Sequence, residues 1–311
     1  MTSVSVCICT FRRPEMLRRL LAAVFSQNVS GSKLNVVVVD NDIDQSASEV
    51  LAEMSAAYPE QLMCIALSES NISLARNAAI RVATGEWICM VDDDEYPEAN
   101  WLANLLQTQK QYEADVVFAP VIPEYALGVP SWIVRGAYFD RRRLLTGTRI
   151  DDKNARSGNV LVRRALLEQL TPAGQEGPFD PAFGKTGGED SMLFRTLDVN
   201  GAKMVWCDEA PVSEVVPLER AKASWLLQRS FRTGQLFMRT ELAMLSGPRA
   251  WKWGSWLAIR AIAQMLVAFG LMLLLGLFAP LKAFHWARIG FSQLGKLNHF
   301  RGVVAHVYGD T

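Results

Sequence analysis

The sequence predicts an α/β fold in which a mostly parallel β-sheet is flanked by helices. Two observations support this prediction. Short runs rich in β-branched residues alternate along the N-terminal half with longer stretches of helical period, which is the pattern of βαβ units. Polar residues follow several of the strand-like runs, and the carboxyl ends of parallel strands share one edge of the sheet, where ligands bind. A functional site is therefore expected at that edge.

The individual elements can be assigned from periodicity and turn residues. The strand-like runs are Val4–Cys9, Leu34–Val39, Leu62–Leu67, Trp87–Val91 and Asp115–Ala119. The helix-like stretches between them are Pro14–Ser26, Ser46–Ala57, Ser73–Ala83 and Ala99–Gln111. Residues 120–217 are irregular and rich in glycine and proline, and a helical stretch follows from Glu219 to about Leu245. Long irregular segments inside a domain are often functional.

Charge narrows the class of protein. The chain has 311 residues, and Lys plus Arg and Asp plus Glu both total 32, so the formal net charge is zero. This balance argues against a protein that binds nucleic acid through bulk charge, and any phosphate site has to be local.

Two features predict that the N-terminal part lies in the cytosol. The first residues lack the basic and apolar regions of a signal peptide. The cysteines all fall in apolar, strand-like runs, which predicts reduced core residues. They are Cys7, Cys9, Cys64, Cys89 and Cys207.

The stretch "EWICMVDDDE", residues 86–95, ends an apolar run in four consecutive carboxylates. Carboxylates this close cannot all stay ionised unless their pKa values rise or a cation binds. In an extended segment Asp92 and Asp94 would point to the same side and offer two hard oxygen donors to one ion. Mg²⁺ or Mn²⁺ suits such ligands and keeps coordination sites for substrate phosphates. The alternative is a solvated acidic turn.

The C-terminal part contains a long apolar segment. Between residues 256 and 281 only Arg260 carries a charge, and the residues after it could cross a hydrocarbon layer of about 30 Å as a helix. Basic residues on both sides fit poorly with one crossing, because Lys and Arg flanks tend to stay cytoplasmic. A re-entrant hairpin would be permitted by Gly270, Gly276 and Pro280. Membrane association is predicted, by a span or a hairpin, and a buried core helix or an oligomer contact is the alternative.

Several separated motifs resemble one enzyme family. They are "VSVCICTFRRPEMLRRLLAAVFSQ", "VVVVDND", "NISLARNAAIRVATGEWICMVDDDE", "SGNVLVRRALL" and "GGEDSMLFRTL". In this order and spacing they resemble family 2 glycosyltransferases of the GT-A fold, in particular the ExoM-type glucosyltransferases of succinoglycan and exopolysaccharide biosynthesis. The resemblance covers residues 3–235 and implies a Rossmann-like sheet.

The resemblance also implies a division of the chain into three parts. Residues 1–120 would form the nucleotide-sugar-binding half of the GT-A domain, and residues 121–245 would form its acceptor-binding and catalytic half. Residues 246–311 would be a helical, membrane-associated region.

Carried over motif by motif, the resemblance implies a nucleotide-diphosphate sugar donor and a set of site residues. The residues that would hold the nucleobase and ribose are Thr10, Arg12, Asp40 and Arg76. Asp92 would approach the ribose or the metal, and Asp94 would bind the Mg²⁺ or Mn²⁺ ion that bridges the diphosphate. Asp190 would be the general base that takes a proton from the acceptor hydroxyl.

Simpler explanations exist for three of these residues. Arg76 could be a surface helix residue, and Asp40 could cap a turn. Glu189 and Asp190 open a helical run, where carboxylates interact favourably with the helix dipole.

The sequence departs from the family pattern at two places. His285, His299 and His306 all lie beyond the catalytic region, so the late histidine ligand of many GT-A enzymes has no counterpart, and Glu214 is a weak substitute. The stretch "QRSFRTG" lacks the Gln-x-x-Arg-Trp signature of processive polymerases, which favours transfer of one sugar per acceptor.

Arg229 and Arg232 stand three residues apart and therefore on one helix face. They could meet a diphosphate from the donor or from a lipid acceptor. A solvated basic face is the alternative.

The resemblance thus implies an inverting, metal-dependent glycosyltransferase at the cytoplasmic face of a bacterial inner membrane. It would add one sugar, with glucose from a UDP-sugar as the expected case, to a polyprenyl-diphosphate-linked saccharide. A metal-dependent nucleotidyltransferase or nucleotide-sugar hydrolase is the alternative enzyme, and a catalytically inactive membrane scaffold is the alternative of a different class.

Overall fold

The computed structural model of the protein describes residues 2–29 and 31–301. In chain order its strands are β1 (Thr2–Thr10), β2 (Ser32–Asp40), β3 (Leu62–Ala66), β4 (Trp87–Met90), β5 (Glu95–Pro97), β6 (Val116–Phe118), β7 (Val121–Tyr125), β8 (Val160–Arg163), β9 (Met204–Trp206) and β10 (Val212–Val216). Its α-helices are α1 (Pro14–Phe25), α2 (Ser48–Ala57), α3 (Ile72–Val82), α4 (Trp101–Tyr112), α5 (Ser131–Arg135), α6 (Arg164–Leu170), α7 (Glu189–Val199), α8 (Ala223–Ala243), α9 (Gly247–Leu275) and α10 (Pro280–Asn298).

The main sheet is mixed but mostly parallel, which confirms the predicted fold class. Its strand order is β3-β2-β1-β4-β8-β6-β9. β1 pairs in parallel with β2 and β4, and β8 runs antiparallel to both β4 and β6. A smaller sheet has the order β5-β10-β7, with β5 antiparallel to β10. The carboxyl ends of β1, β2 and β4 therefore lie side by side.

The predicted strands and helices of the N-terminal half are present, with small shifts at their ends. These elements could be predicted because the sheet is covered by helices on both faces, so its strands are largely apolar. Val6 and Ile8 of β1 pack with residues of α1 and α4 on one face, and Val37 and Val39 of β2 pack with residues of α3 on the other. Strands buried on both faces read as continuous apolar runs.

The cysteines are all free thiols. Cys7, Cys89 and Cys207 are buried and Cys9 is partly buried, but Cys64 is exposed. The prediction that all five are core residues is wrong for Cys64, because its strand β3 lies at the edge of the main sheet.

The chain divides into two compact units. Among the described residues, the first unit holds 2–124 and 141–215, and the second holds 125–140 and 216–301. Residues 125–140 belong to the second unit because Ile133, Tyr138 and Phe139 pack with Leu226 and Phe284. The predicted division into nucleotide-sugar-binding, acceptor-binding and membrane-associated parts, with boundaries after residues 120 and 245, concerns function and stays a prediction.

The second unit is built on α8, α9 and α10, and two glycines let α8 and α10 approach closely. A Cβ atom at Gly234 would collide with the carbonyl oxygen of Ser292, and one at Gly295 would collide with that of Phe231. Only glycine allows two helix backbones to come so near.

Helices α9 and α10 form a helical hairpin joined by residues 276–279. Phe269 of α9 packs edge-on against Phe291 of α10, with ring centroids 6.2 Å apart. Among the described residues, α9 is the one helix long and apolar enough to cross a membrane, with a mean hydropathy of 2.1 in its most apolar window. Only 17% of that window is buried, so most of its apolar surface has no cover in this unit.

Candidate active site

Residues at the end of β1 and in the turn after it contact the acidic stretch of residues 92–95. The Thr10 hydroxyl donates a hydrogen bond of 2.9 Å to Asp93 Oδ2. Arg13 Nη1 lies 2.8 Å from Asp93 Oδ1 and 2.9 Å from Asp94 Oδ2. Arg13 was not among the predicted site residues, although it belongs to the same polar cluster as Arg12. The turn and the acidic stretch therefore form one charged patch at the carboxyl edge of the sheet.

The acidic stretch is a tight turn between β4 and β5. The Glu95 N–H donates to the Asp92 carbonyl oxygen at 3.0 Å, and the Asp92 N–H donates to Glu95 Oε2 at 3.1 Å. The expectation of an extended segment with Asp92 and Asp94 on one side is wrong, because these two hydrogen bonds fold the backbone back. The Asp92 side chain is 49% exposed, whereas that of Asp94 is 10% exposed.

This turn holds four carboxyl groups close together, and the pKa values of Asp92, Asp93 and Glu95 are raised. Burial raises the pKa of Asp93 to about 6 against the opposing effect of Arg13. Burial also raises the pKa of Glu95 well above its ordinary value, and the charge of Asp92 adds to that rise. Partial desolvation of the half-exposed Asp92 carboxylate raises its pKa, Arg76 opposes the rise, and repulsion from Asp94 adds to it. A cation bound here would relieve this repulsion.

Arg76 joins the acidic turn to the start of α7. Helix α3 begins beside Asn71, whose side chain accepts hydrogen bonds from the N–H groups of Ser73 and Leu74 and caps the helix. The Arg76 side chain is 9% exposed, with Nη1 2.6 Å from Glu189 Oε1 and Nη2 3.3 Å from Asp92 Oδ1. The surface-residue explanation for Arg76 is therefore wrong.

The electrostatics of Arg76 follow from these two pairs. Burial of the guanidinium lowers its pKa, but the carboxylates of Glu189 and Asp92 outweigh this effect and raise it, so Arg76 stays charged. A role for Arg76 in holding the nucleotide stays a prediction.

Two glycines, Gly187 and Gly188, form the turn that positions Glu189 and Asp190 beside Arg76 and Asp92. Gly187 and Gly188 have φ values of +82° and +99°, a left-handed backbone that favours glycine. Burial raises the pKa of Glu189 to about 7, Arg76 opposes the rise, and Asp190 adds to it. Glu189 was missed as a site residue, although it adjoins the predicted base.

Asp190 itself is partly exposed and lies at the N-terminus of α7. Its Oδ1 accepts a 2.6 Å hydrogen bond from the Ser191 N–H, and its Oδ2 lies 3.4 Å from the Ser157 N–H. Its charge contributes to the raised pKa of Asp92, so the two carboxylates belong to one electrostatic cluster. A carboxylate that is held by backbone N–H groups and reachable from solvent can accept a proton from a substrate hydroxyl.

Asp40 and Arg12 lie at the end of β2 and in the first turn. Asp40 is 1% exposed; its Oδ1 accepts from the Asp42 N–H at 3.1 Å and its Oδ2 from the Ala47 N–H at 2.9 Å. It therefore caps this loop, and a further role toward a nucleotide stays a prediction. Arg12 has a left-handed backbone with φ +55°, and its guanidinium lies 3.4 Å from both Asp42 and Asp44.

The carboxylates fit a divalent cation that is shared with a substrate. In residues 2–29 and 31–301, no group of three or more His, Cys, Asp or Glu side chains is arranged to hold a metal ion. Glu214, the weak substitute for the missing histidine ligand, lies with its Oε2 2.9 Å from Arg141. Mg²⁺ is commonly held by one or two carboxylates and completed by water and substrate phosphates. Asp92 and Asp94 are donors of that type, and their role as metal ligands stays a prediction.

The other predicted residues belong to the second unit. The Arg229 guanidinium lies 5.5 Å from the ring centroid of Phe139 and 5.4 Å from that of Trp225. Arg232 is on the same helix, α8, one turn further on. These two arginines are not among the residues that the first unit brings together, and their role toward a diphosphate stays a prediction. His285 and His299 also lie in the second unit, whereas His306 is outside the described residues.

Comparisons with known sequences agree with this architecture. The family model described as glycosyl transferase family 2 matches residues 5–171. The chain is 31% identical over 249 residues to the succinoglycan biosynthesis protein ExoM of Rhizobium meliloti, which covers 80% of this chain and 78% of that protein. It is 24% identical over 247 residues to the glucosyl-dolichyl phosphate glucuronosyltransferase of Haloferax volcanii, covering 74% of this chain and 75% of the relative.

Solved structures share the fold. The mannosyltransferase PcManGT from Pyrobaculum calidifontis, solved with GDP-Man and Mn²⁺, matches with a TM-score of 0.62 and 18% identity over 96% of this chain and 86% of that one. S. aureus TarS 1-349, solved with UDP, matches with a TM-score of 0.54 and 17% identity over 97% and 92%. These matches confirm the predicted GT-A fold, and together with the matching family model and the similarity to ExoM they show that the chain belongs to glycosyltransferase family 2.

Proposed function

We propose that this family 2 glycosyltransferase is inverting and metal-dependent, and that it moves one sugar from a nucleotide-diphosphate sugar to a polyprenyl-diphosphate-linked saccharide. One observation carries the proposal: Arg76 bridges Asp92 and Glu189, at 3.3 and 2.6 Å, so that the acidic turn and Asp190 stand in one cluster. Direct displacement of a diphosphate needs a proton acceptor and a charge-stabilising group close to one reacting carbon. The cluster supplies a candidate for each.

Each residue has a defined part in the proposed reaction. Asp190 accepts the proton of the acceptor hydroxyl, whose oxygen attacks the anomeric carbon on the side opposite the diphosphate and inverts its configuration. A divalent ion held by Asp94 and Asp92 would offset the charge of the departing diphosphate. Arg76 holds Asp92 and Glu189 together and so positions Asp190, the neighbour of Glu189, close to Asp92.

The similar proteins support the substrate classes. TarS was solved with UDP and with UDP-GlcNAc, and PcManGT was solved with GDP-Man and Mn²⁺. A nucleotide-sugar donor and a divalent cation are therefore reasonable for this site, and a UDP-sugar carrying glucose is the first donor to test. The Haloferax relative is named for a glucosyl-dolichyl phosphate, which supports a lipid-linked acceptor.

The α9–α10 hairpin supports a place at the membrane. Large apolar side chains near its turn are strongly exposed; they are Leu273, Leu274, Leu277 and Phe278. Three exposed tryptophans precede them near the start of α9: Trp251, Trp253 and Trp256. Tryptophans at an interface and an apolar tip beyond them are typical of a helix pair that enters a bilayer. We place the hairpin in the inner membrane with the catalytic unit on the cytoplasmic face.

Incubation with radiolabelled nucleotide sugars and a bacterial lipid extract tests the proposal. Label should appear in the lipid fraction, should disappear with a chelator, and should return with Mg²⁺ or Mn²⁺. Free labelled sugar or sugar phosphate without labelled lipid would favour the nucleotide-sugar hydrolase, and transfer of the nucleotide would favour the nucleotidyltransferase. No turnover of any donor would favour the inactive scaffold. The anomeric configuration of the product, measured by NMR, tests inversion.

A further inference from the structure

The second unit contains a cavity that the proposed sugar transfer does not use. Its volume is about 390 Å³. The residues that line it are Arg135, Gly136, Tyr138, Leu281, Lys282, His285 and Trp286. None of these residues is acidic, and they combine basic groups with aromatic and apolar walls. We refer to this space as the Tyr138 cavity.

Tyr138 provides a buried polar group at this cavity. The residue is 6% exposed, and its ring packs edge-on against Trp132 and Phe284, with centroids 5.7 and 5.2 Å apart. Its hydroxyl has no hydrogen-bond partner within the described part of the chain. A buried hydroxyl without a partner is costly, so a ligand that accepts a hydrogen bond there would be stabilising.

Two cations line the Tyr138 cavity, and a third lies over the Tyr138 ring. The guanidinium of Arg288 lies 5.0 Å from the centroid of the Tyr138 ring, and its Nε also lacks a partner among the described residues. Arg135 and Lys282 are exposed, and neither forms an ion pair with a carboxylate in residues 2–29 and 31–301. Guanidinium and ammonium groups together with a hydroxyl donor make a site for a phosphate ester.

The surroundings of the cavity indicate that this phosphate carries an apolar tail. Lys282 lies just after the hairpin turn, in which Leu277 and Phe278 are 88% and 84% exposed. Val134, next to Arg135, is exposed as well. Basic groups beside exposed apolar side chains are typical of surfaces that hold lipid headgroups at a bilayer.

We propose that the Tyr138 cavity binds the phosphate headgroup of an anionic membrane phospholipid. The phosphate accepts one hydrogen bond from the Tyr138 hydroxyl and pairs with Arg135 and Lys282, while the acyl chains lie along the apolar hairpin turn. This inference rests on the membrane association included in the proposed function.

Vesicle flotation of the full chain tests this site. We expect tighter binding to phosphatidylcholine vesicles that contain phosphatidylglycerol than to pure phosphatidylcholine vesicles. Tyr138→Phe keeps the packed ring and removes only the donor, so it should weaken binding to the phosphatidylglycerol vesicles about tenfold. Lys282→Gln should weaken it similarly, whereas Lys222→Gln, which removes one exposed charge elsewhere in the same unit, should not.

Three results would overturn the assignment. The first is equal binding to both kinds of vesicle. The second is unchanged phosphatidylglycerol binding by both Tyr138→Phe and Lys282→Gln. The third is a preference for phosphatidylcholine vesicles doped with polyprenyl phosphate, or displacement by inorganic phosphate at constant ionic strength, which would assign the cavity to the acceptor or to a free anion.

Sugar transfer in detergent micelles, measured on the same samples, separates this inference from the proposed function. Transfer without any phosphatidylglycerol preference would defeat the lipid site alone. A phosphatidylglycerol preference without transfer would defeat the proposed reaction alone.

Discussion

The surroundings of Glu189 in the catalytic cluster strongly affect its ionisation. It is 5% exposed, and one of its oxygens, Oε2, has no partner among the described residues. Its other oxygen, Oε1, is paired with Arg76. A buried carboxylate with one unsatisfied oxygen is costly in its charged form, which is why burial raises its pKa to about 7.

Replacing Glu189 by Gln tests the raised pKa of Glu189 through the pH dependence of the protein's stability. In the wild type the favourable contribution of the protonated carboxyl is complete below its ordinary pKa of 4.5 and is lost as the pH rises through about 7. The glutamine does not titrate. The melting temperature of Glu189→Gln minus that of the wild type should therefore rise from pH 4.5 to above pH 7.

Thermal denaturation over this range, with Glu219→Gln as an exposed control, measures the difference. A difference that stays flat or falls with rising pH would contradict the raised pKa. Any loss of stability that the substitution causes equally at every pH does not matter, because only the change of the melting-temperature difference with pH is compared.

At this scale the sequence indicated single site residues but not their partners. Thr10, Asp92, Asp94 and Asp190 could be named because they occur in motifs or directly after strands. The Arg76–Glu189 pair joins residues 113 positions apart, and periodicity reports only on neighbours along the chain. Such a pairing depends on the sheet order, which local patterns do not contain.

At the scale of the elements, the crossing of α8 and α10 leaves no room for a side chain at two glycine positions. Gly234 and Gly295 face the carbonyl oxygens of Ser292 and Phe231, so the helix backbones themselves are in contact. In a packed core an added methyl group forces the backbone to shift, because interiors contain few voids.

Gly295→Ala should destabilise the protein by about 1–3 kcal/mol. Gly270→Ala is the matched control, since Gly270 is exposed in the interior of α9 and its added Cβ meets no atom within 4 Å. That exchange should stabilise by about 0.5–1 kcal/mol, because alanine loses less conformational entropy in a helix. Denaturation in one detergent compares the two variants; equal effects would refute the close crossing.

Elements could be predicted where one physical pattern dominates. The N-terminal strands are apolar runs bounded by polar turns, so their positions along the chain could be predicted. The antiparallel direction of β8 could not be predicted, since a short buried strand reads the same in either direction. For residues 92–95 the sequence left an extended segment and an acidic turn open, because backbone hydrogen bonds and not the side-chain pattern define the turn.

At the scale of the whole molecule, the second unit exposes an apolar turn between α9 and α10. Leu277 and Phe278 are more than four-fifths exposed and adjoin other exposed apolar residues of α9. Contiguous apolar surface of this kind marks an interaction site. The sequence predicted the apolar segment and left open a span or a hairpin, because helix direction after a glycine and a proline depends on packing.

Replacing both turn residues by serine, L277S/F278S, should weaken binding to lipid vesicles at least about tenfold, because two large apolar side chains no longer enter the bilayer. The control is L127S/L145S, which alters two leucines that are 100% and 84% exposed outside the hairpin. It should bind vesicles like the wild type. Equal loss in both variants, or in neither, would contradict insertion of the turn.

The orientation of the hairpin is tested by protease protection of a C-terminal tag. If the hairpin is re-entrant, the tag should be cleaved in inverted inner-membrane vesicles and protected in right-side-out vesicles. The opposite pattern would establish a single span.

The measurement that tests the central claim most directly is turnover and donor binding of Asp190→Asn. If Asp190 is the base of an inverting transfer, its loss should lower kcat by about 10²–10⁴-fold while the donor dissociation constant stays unchanged. Asp198→Asn, the same exchange two turns further along α7, should keep normal turnover. Near-normal turnover by Asp190→Asn would contradict the proposed reaction.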